Sequence, residues 1–106
     1  MHIIIFVTVK DKRQARKISS ALLENKLAAC VNISGSVDSL FSWRGKAERA
    51  KEFLLLIKSR KEKFKSIVKL VSSLHSYGVP EIVAVPVISG NGPYLRWIDA
   101  SLGQSV

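Results

Sequence analysis

Cysteine is nearly absent from this chain of 106 residues, where Cys30 stands alone. A single thiol excludes an internal disulfide and the stapled scaffold of a small secreted domain, so the expected compartment is the cytoplasm. Histidine is almost as scarce, with only His2 and His75. No C-x-x-C or H-x-x-x-H spacing exists to supply the four convergent ligands of a structural zinc site. Long apolar runs are missing too: residues 3–7 fall far short of the eighteen or so that a membrane span needs. They also lack the preceding basic region of a signal peptide, and Lys10, Asp11 and Lys12 follow closely.

Acidic residues are outnumbered, eight against seventeen lysines and arginines, for a formal charge of +9 and a pI near 10.1. That imbalance invites a polyanionic partner. The basic residues gather in two groups, Lys10, Lys12, Arg13, Arg16 and Lys17, then Lys58, Arg60, Lys61, Lys63, Lys65 and Lys69. Both groups fall on segments that read as amphipathic helices or their entries, so a solvated helix face accounts for them. Sequence-blind nucleic-acid binding through these lysines is compatible with the pattern. Signatures of catalysis are lacking: there is no nucleophile elbow, no glycine-rich phosphate loop and no carboxylate pair at acid–base spacing. A non-enzymatic protein is expected.

A composition of 47% hydrophobic against 24% charged residues is that of a packed globule, and residues 1–106 read as one domain. The run His2–Val9 is apolar and β-branched almost throughout, the pattern of a central strand covered on both faces. Asp11 can cap a helix with apolar Ala15, Ile18, Leu22 and Leu23, ending near Asn25 and Lys26. From Leu27 a long strand is expected, bulged around Ser34, Gly35 and Ser36, with a turn at Gly45 and a return strand through Phe53, Leu54, Leu55, Leu56 and Ile57. Ser59 and Glu62 have the spacing of a capping box, predicting a helix from that point with Phe64, Ile67, Val68, Val71 and Leu74 inward. Residues 81–88 read as a last strand, placed at a sheet edge by Pro86. Asn91, Gly92 and Pro93 turn into a short helix bearing Tyr94, Leu95, Trp97 and Ile98, and residues 103–106 are expected to fray.

The order β, α, β, β, α, β plus a short helix predicts an α+β, ferredoxin-like antiparallel sheet with two helices on one face. The other face would then expose the apolar residues of the first and third strands. Another copy of the chain is the simplest cover, and physics alone leaves two, three or four copies open.

Four stretches, LAACVNISGSVDSLFSWRGK at 27–46, HSYGVPE at 75–81, YLRW at 94–97 and the first strand with Thr8, together resemble the CutA family linked to divalent-cation tolerance. The resemblance spans nearly the whole chain. It implies a cytosolic homotrimer with sheets facing inward and long hairpins interlocking, and a PII-like regulatory role by architectural analogy. Some bacterial relatives are described with a copper site built from a first-strand cysteine and two adjacent histidines. Here Val7 and Leu74 occupy two of those positions and only His75 matches, so His75 is the one candidate metal ligand, and a divalent ion such as copper is expected to bind weakly.

His75, Tyr77, Pro80 and Glu81 concentrate hydrogen-bonding groups at a helix end, where a plain helix stop would also account for them. In a functional reading they line a cleft that binds a small ligand, with Lys58 as cation, Glu81 as carboxylate and Trp43 arriving from a neighbouring hairpin as a flat wall. Cys30 lies among small apolar residues, the setting of a packed, unreactive thiol, and in the functional reading it joins Lys58, His75, Tyr77, Glu81 and Trp43 as a ligand-binding residue. The competing reading is a basic ferredoxin-like nucleic-acid-binding domain, which would need aromatic side chains on the first and third strands for base stacking.

Overall fold

The computed structural model describes residues 1–103. Its elements run β1 (His2–Val9), α1 (Lys12–Glu24), β2 (Cys30–Trp43), β3 (Lys46–Arg60), a single 3-10 turn (Lys61–Lys63), α2 (Phe64–Leu74), β4 (Ile82–Pro86) and α3 (Gly92–Ser101). The four strands form one antiparallel sheet in the order β2-β3-β1-β4. This is the ferredoxin-like arrangement expected from the element order, with β1 and β3 interior and the Pro86-bearing β4 at an edge.

Strand alternation decides which apolar residues are inside. Ile3, Ile5, Val7 and Val9 of β1 and Leu55 and Ile57 of β3 are buried, together with Ala15, Ile18 and Leu22 of α1 and Ile67 and Val71 of α2. On the opposite face Ile4 and Phe6 stand beside Leu54 and Leu56 and are only partly buried, while Val83 and Val85 of β4 are exposed. The apolar runs that read as doubly covered strands are therefore covered once within the chain.

Local chemistry explains most boundaries. The Asp11 carboxylate accepts from the Gln14 amide and caps α1. At the other end the Leu27 amide donates to the Leu22 carbonyl and the Lys26 amide to the Leu23 carbonyl, a Schellman closure with Lys26 at φ 53°. Arg44 and Gly45, both at positive φ, form the two-residue turn between β2 and β3 that matches strand twist. The register slips between Ser34 and Val37, the expected bulge, and a Cβ at Gly35 would overlap the Phe53 ring. Beyond that bulge the hairpin extends away from the helices, giving the molecule extents of 48 × 26 × 22 Å.

The predicted capping box does not form. Ser59 belongs to β3, opposite Ile3, and its buried hydroxyl donates to the Leu27 carbonyl at 2.6 Å. Glu62 instead meets Arg60 Nε at 2.9 Å and the terminal ammonium at 3.5 Å. Pairing with β1 extends through Arg60, so α2 begins only at Phe64, after the 3-10 turn and without a side-chain cap. The second strand likewise starts at Cys30 and not at Leu27, because the helix closure holds the Leu27 amide and the chain joins β3 only from Ala29, whose amide donates to the Lys58 carbonyl. Gly103 lies in a turn; the remainder of the segment expected to fray is outside the described residues.

Candidate functional site

The polar residues fall into two groups at opposite ends of β1. At its C-terminal end His75, the C-cap of α2, holds the Thr8 carbonyl with Nε2 at 2.7 Å, while its Nδ1 accepts the Tyr77 amide at 3.0 Å. The carbonyl requires a proton on Nε2 and the amide requires a lone pair on Nδ1, so one neutral tautomer satisfies both bonds. Tyr77 packs against this ring with centroids 4.6 Å apart and donates its hydroxyl to the buried Glu52 carboxylate at 2.8 Å. Burial, then the bond to Glu52, pushes the Tyr77 phenol up to about 12. Glu81 is exposed just before β4, whose Ile82 lies opposite Val7, and so belongs to the same end of the sheet.

The second group sits on the open face near the start of β1. Lys58, opposite Ile4, donates to the Asn32 side-chain carbonyl and lies 4.0 Å from the Cys30 sulfur. Tyr94 of α3 stands next to Cys30; burial first, then that neighbouring thiol, raises its phenol above the ordinary value. Tyr94 also stacks on Trp97 with centroids 5.5 Å apart, leaving both rings partly exposed. Alongside, Asp99 accepts from Arg60 at 2.7 Å and meets His2 Nε2 at 2.8 Å. These contacts fasten α3 across one end of the open face. Burial of Asp99 works against its charge, but the Arg60 and His2 bonds prevail and hold the carboxyl below the usual carboxylate range.

The six predicted site residues are therefore not one cluster within a chain. Cys30 meets Lys58 and His75 meets Tyr77, but four residues of β1 separate the two groups, about 13 Å at strand rise. Trp43, 57% exposed beneath the Arg44 guanidinium, pairs with Lys46, twelve residues along β3 from Lys58. That is roughly 40 Å of strand, so a chain cannot bring its own Trp43 to its own Lys58. As a metal ligand His75 is also poorly placed, since both ring nitrogens already serve backbone groups. Among the described residues no three His, Cys, Asp or Glu side chains converge on a common point.

Sequence reasoning missed Glu52, Asn32, Tyr94 and the Asp99 partnership, and it took His2 merely for the opening of a strand. The one local signal was Glu52, a carboxylate placed directly before the apolar run of β3. The others depend on pairing across the sheet or on α3 folding back over a distance of up to 97 residues.

Fold and site together define a small α+β protein of ferredoxin-like topology, with polar groups at both ends of β1, an open, apolar sheet face and a projecting aromatic hairpin. Residues 3–101 match the family described as CutA1 divalent ion tolerance protein. The solved structure of the periplasmic divalent cation tolerance protein CutA from Archaeoglobus fulgidus superposes with a TM-score of 0.93 at 43% identity, covering 96% of this chain and 99% of that one. The divalent-cation tolerance protein CutA of Thermus thermophilus is 41% identical over 97% of this chain and 100% of its own length. The chloroplastic protein CutA of Arabidopsis thaliana is 36% identical over 93% of this chain, which spans 54% of that longer protein. This chain belongs to the CutA1 divalent ion tolerance family.

Proposed function

We propose that the chain works in divalent-cation tolerance as a non-catalytic homotrimer in the cytoplasm, binding a small ligand or metal ion in clefts between subunits. The observation that carries this reading is the open sheet face, where Ile4, Phe6, Leu54, Leu56, Val83 and Val85 form an apolar surface that α1 and α2 do not cover and α3 meets only at one end. Soluble proteins rarely leave such a patch in water, and a second copy of the same face is the cover always available. Three copies is the number the family resemblance implies. The hairpin supports the same assembly: Leu40, Phe41 and Trp43 are 75%, 45% and 57% exposed on a ribbon well clear of the core.

In that assembly a neighbouring hairpin brings its Trp43 within range of one of the polar groups. Lys58, with Cys30, Asn32 and Tyr94 around it, offers a cation, hydrogen-bond donors and a thiol, a set suited to a small anion or the anionic shell of a metal complex. Copper is expected to bind weakly and below one ion per chain, because a His75 ligand must first give up the Thr8 carbonyl or the Tyr77 amide. A PII-like regulatory role fits a trimer with ligand clefts at its seams. The lone thiol suits the reducing cytoplasm.

Light scattering after size exclusion tests the assembly, with a mass near three chains expected and a monomer at micromolar concentration overturning it. Calorimetric titration with Cu²⁺ on wild type and His75→Ala tests the metal reading. Stoichiometric micromolar binding in both proteins would place the site elsewhere.

A further inference from the structure

The helical side of the sheet carries a charge pattern that neither the trimer nor the ligand cleft uses. Lys12, Arg13, Arg16 and Lys17 on α1 and Lys65 and Lys69 on α2 are all exposed, and the two helices pack side by side. Carboxylates are almost excluded from this surface. α2 contains none, and α1 has only Glu24, its last residue. The flanking acids are already engaged, Asp11 with the Gln14 amide and Glu62 with Arg60 and the terminal ammonium. Among the described residues none of the six cations makes an ion pair. At the start of α1 a hollow of about 230 Å³ opens between Lys10, Asp11, Arg13, Gln14 and Lys17, where three cations outnumber the one carboxylate.

We propose that this two-helix face binds double-stranded nucleic acid through its phosphate backbone, without reading sequence. Charge complementarity selects a polyanion, and the side chains between the charges select the kind. A membrane-surface helix needs an apolar face free to enter the lipid. Here the apolar stripes of α1 and α2 are buried against the sheet, and Leu23 is their only exposed large apolar side chain. Single-stranded binding needs aromatic platforms for stacking; the one aromatic of the two helices, Phe64, is packed against the core. What remains is a row of flexible cations facing water, which suits a rigid duplex whose phosphates lie at regular spacing. The strand-face alternative is not supported, because Phe6 is the only aromatic that β1 and β3 present to the open face, Phe53 being packed into the core. The proposal is independent of the trimer, since the helices and the open face lie on opposite sides of the sheet.

Fluorescence anisotropy with two unrelated labelled DNA duplexes, at about 50 and 200 mM salt, tests it. Binding to both duplexes with similar affinity is expected, falling about a hundredfold between these salts if some four phosphates are neutralised. The variant Arg13→Gln, Lys17→Gln, Lys65→Gln, Lys69→Gln is expected to lose at least tenfold at the lower salt. A control with the same change in net charge, Lys46→Gln, Arg49→Gln, Lys51→Gln, Arg96→Gln, is expected to lose less than threefold. Light scattering on each protein separates loss of binding from loss of assembly. Equal losses in both variants would overturn the proposal in favour of net charge alone. Absence of binding at the lower salt, retention of one preferred sequence at the higher salt, or stronger binding to phosphatidylserine vesicles than to duplex would each overturn it as well.

Discussion

The two faces of this sheet are made from the same strands, residue by residue in alternation, yet they have opposite fates. On one, Leu55 and Ile57 meet Val7 and Ile5 beneath α1 and α2 and are fully buried. On the other, Leu54 and Leu56 meet Thr8 and Phe6 with only α3 fastened over one end. The contrast shows that hydrophobicity in a strand states a requirement for cover without saying whether the same chain or another copy meets it.

The sharpest way to break this comparison is to place the same charge on each face. Leu55→Lys puts an ammonium in a closed core with no partner and is expected to abolish cooperative folding. Leu56→Lys, one residue away, is expected to leave helix and strand signals in circular dichroism intact and to yield monomers by light scattering. Equal behaviour of the two variants would erase the distinction between the faces.

A smaller effect tests the polar end beneath His75. Tyr77→Phe leaves the buried Glu52 carboxylate without its donor and is expected to cost about 1–3 kcal/mol in urea unfolding. In wild type the folded state holds the Tyr77 proton up to about 12, against about 10 in an unfolded chain. Stability is therefore expected to fall as pH rises through that window, with phenolate absorbance from Tyr77 emerging only near its upper end. A phenolate titration centred on the ordinary tyrosine value would contradict the buried contact.

The α3 fastening behaves in the opposite sense. The carboxyl of Asp99 lies below its ordinary value in the folded protein, so its contribution is fully present above the unfolded value near 4 and is lost as pH falls through the folded one. Asp99→Asn is expected to flatten this acid limb of the stability profile. A variant as acid-sensitive as wild type would assign the limb to other carboxylates. The smallest expected change is Lys26→Gly, which places glycine at the left-handed helix closure and should raise stability by about 0.5–1 kcal/mol. No gain in the unfolding midpoint would argue that Lys26 carries little strain.

Much of the frame was legible because it depends on near neighbours. The apolar stripes of α1 and α2, the Asp11 cap, the bulge at Gly35, the turn at Gly45 and the edge position implied by Pro86 all follow from local spacing and backbone chemistry. The capping box at Ser59 misled for the same reason: its local signal was sound, but strand pairing with β1 competed for the same residues and won. The candidate site was half legible. His75 and Tyr77 were drawn together by two residues of sequence, whereas Lys58 found Asn32 and Cys30 only through the register of β2 on β3.

The sequence by itself determined the element order, the helix faces and the demand that β1 and β3 be covered, because hydrophobic period and turn chemistry are properties of adjacent residues. Only the tertiary structure decided which half of each strand faces the helices, that both His75 nitrogens are engaged by backbone, and that His2 and Arg60 meet Asp99. Those outcomes depend on register and on α3 folding back, and a one-residue slip would exchange the two faces while leaving every local pattern unchanged.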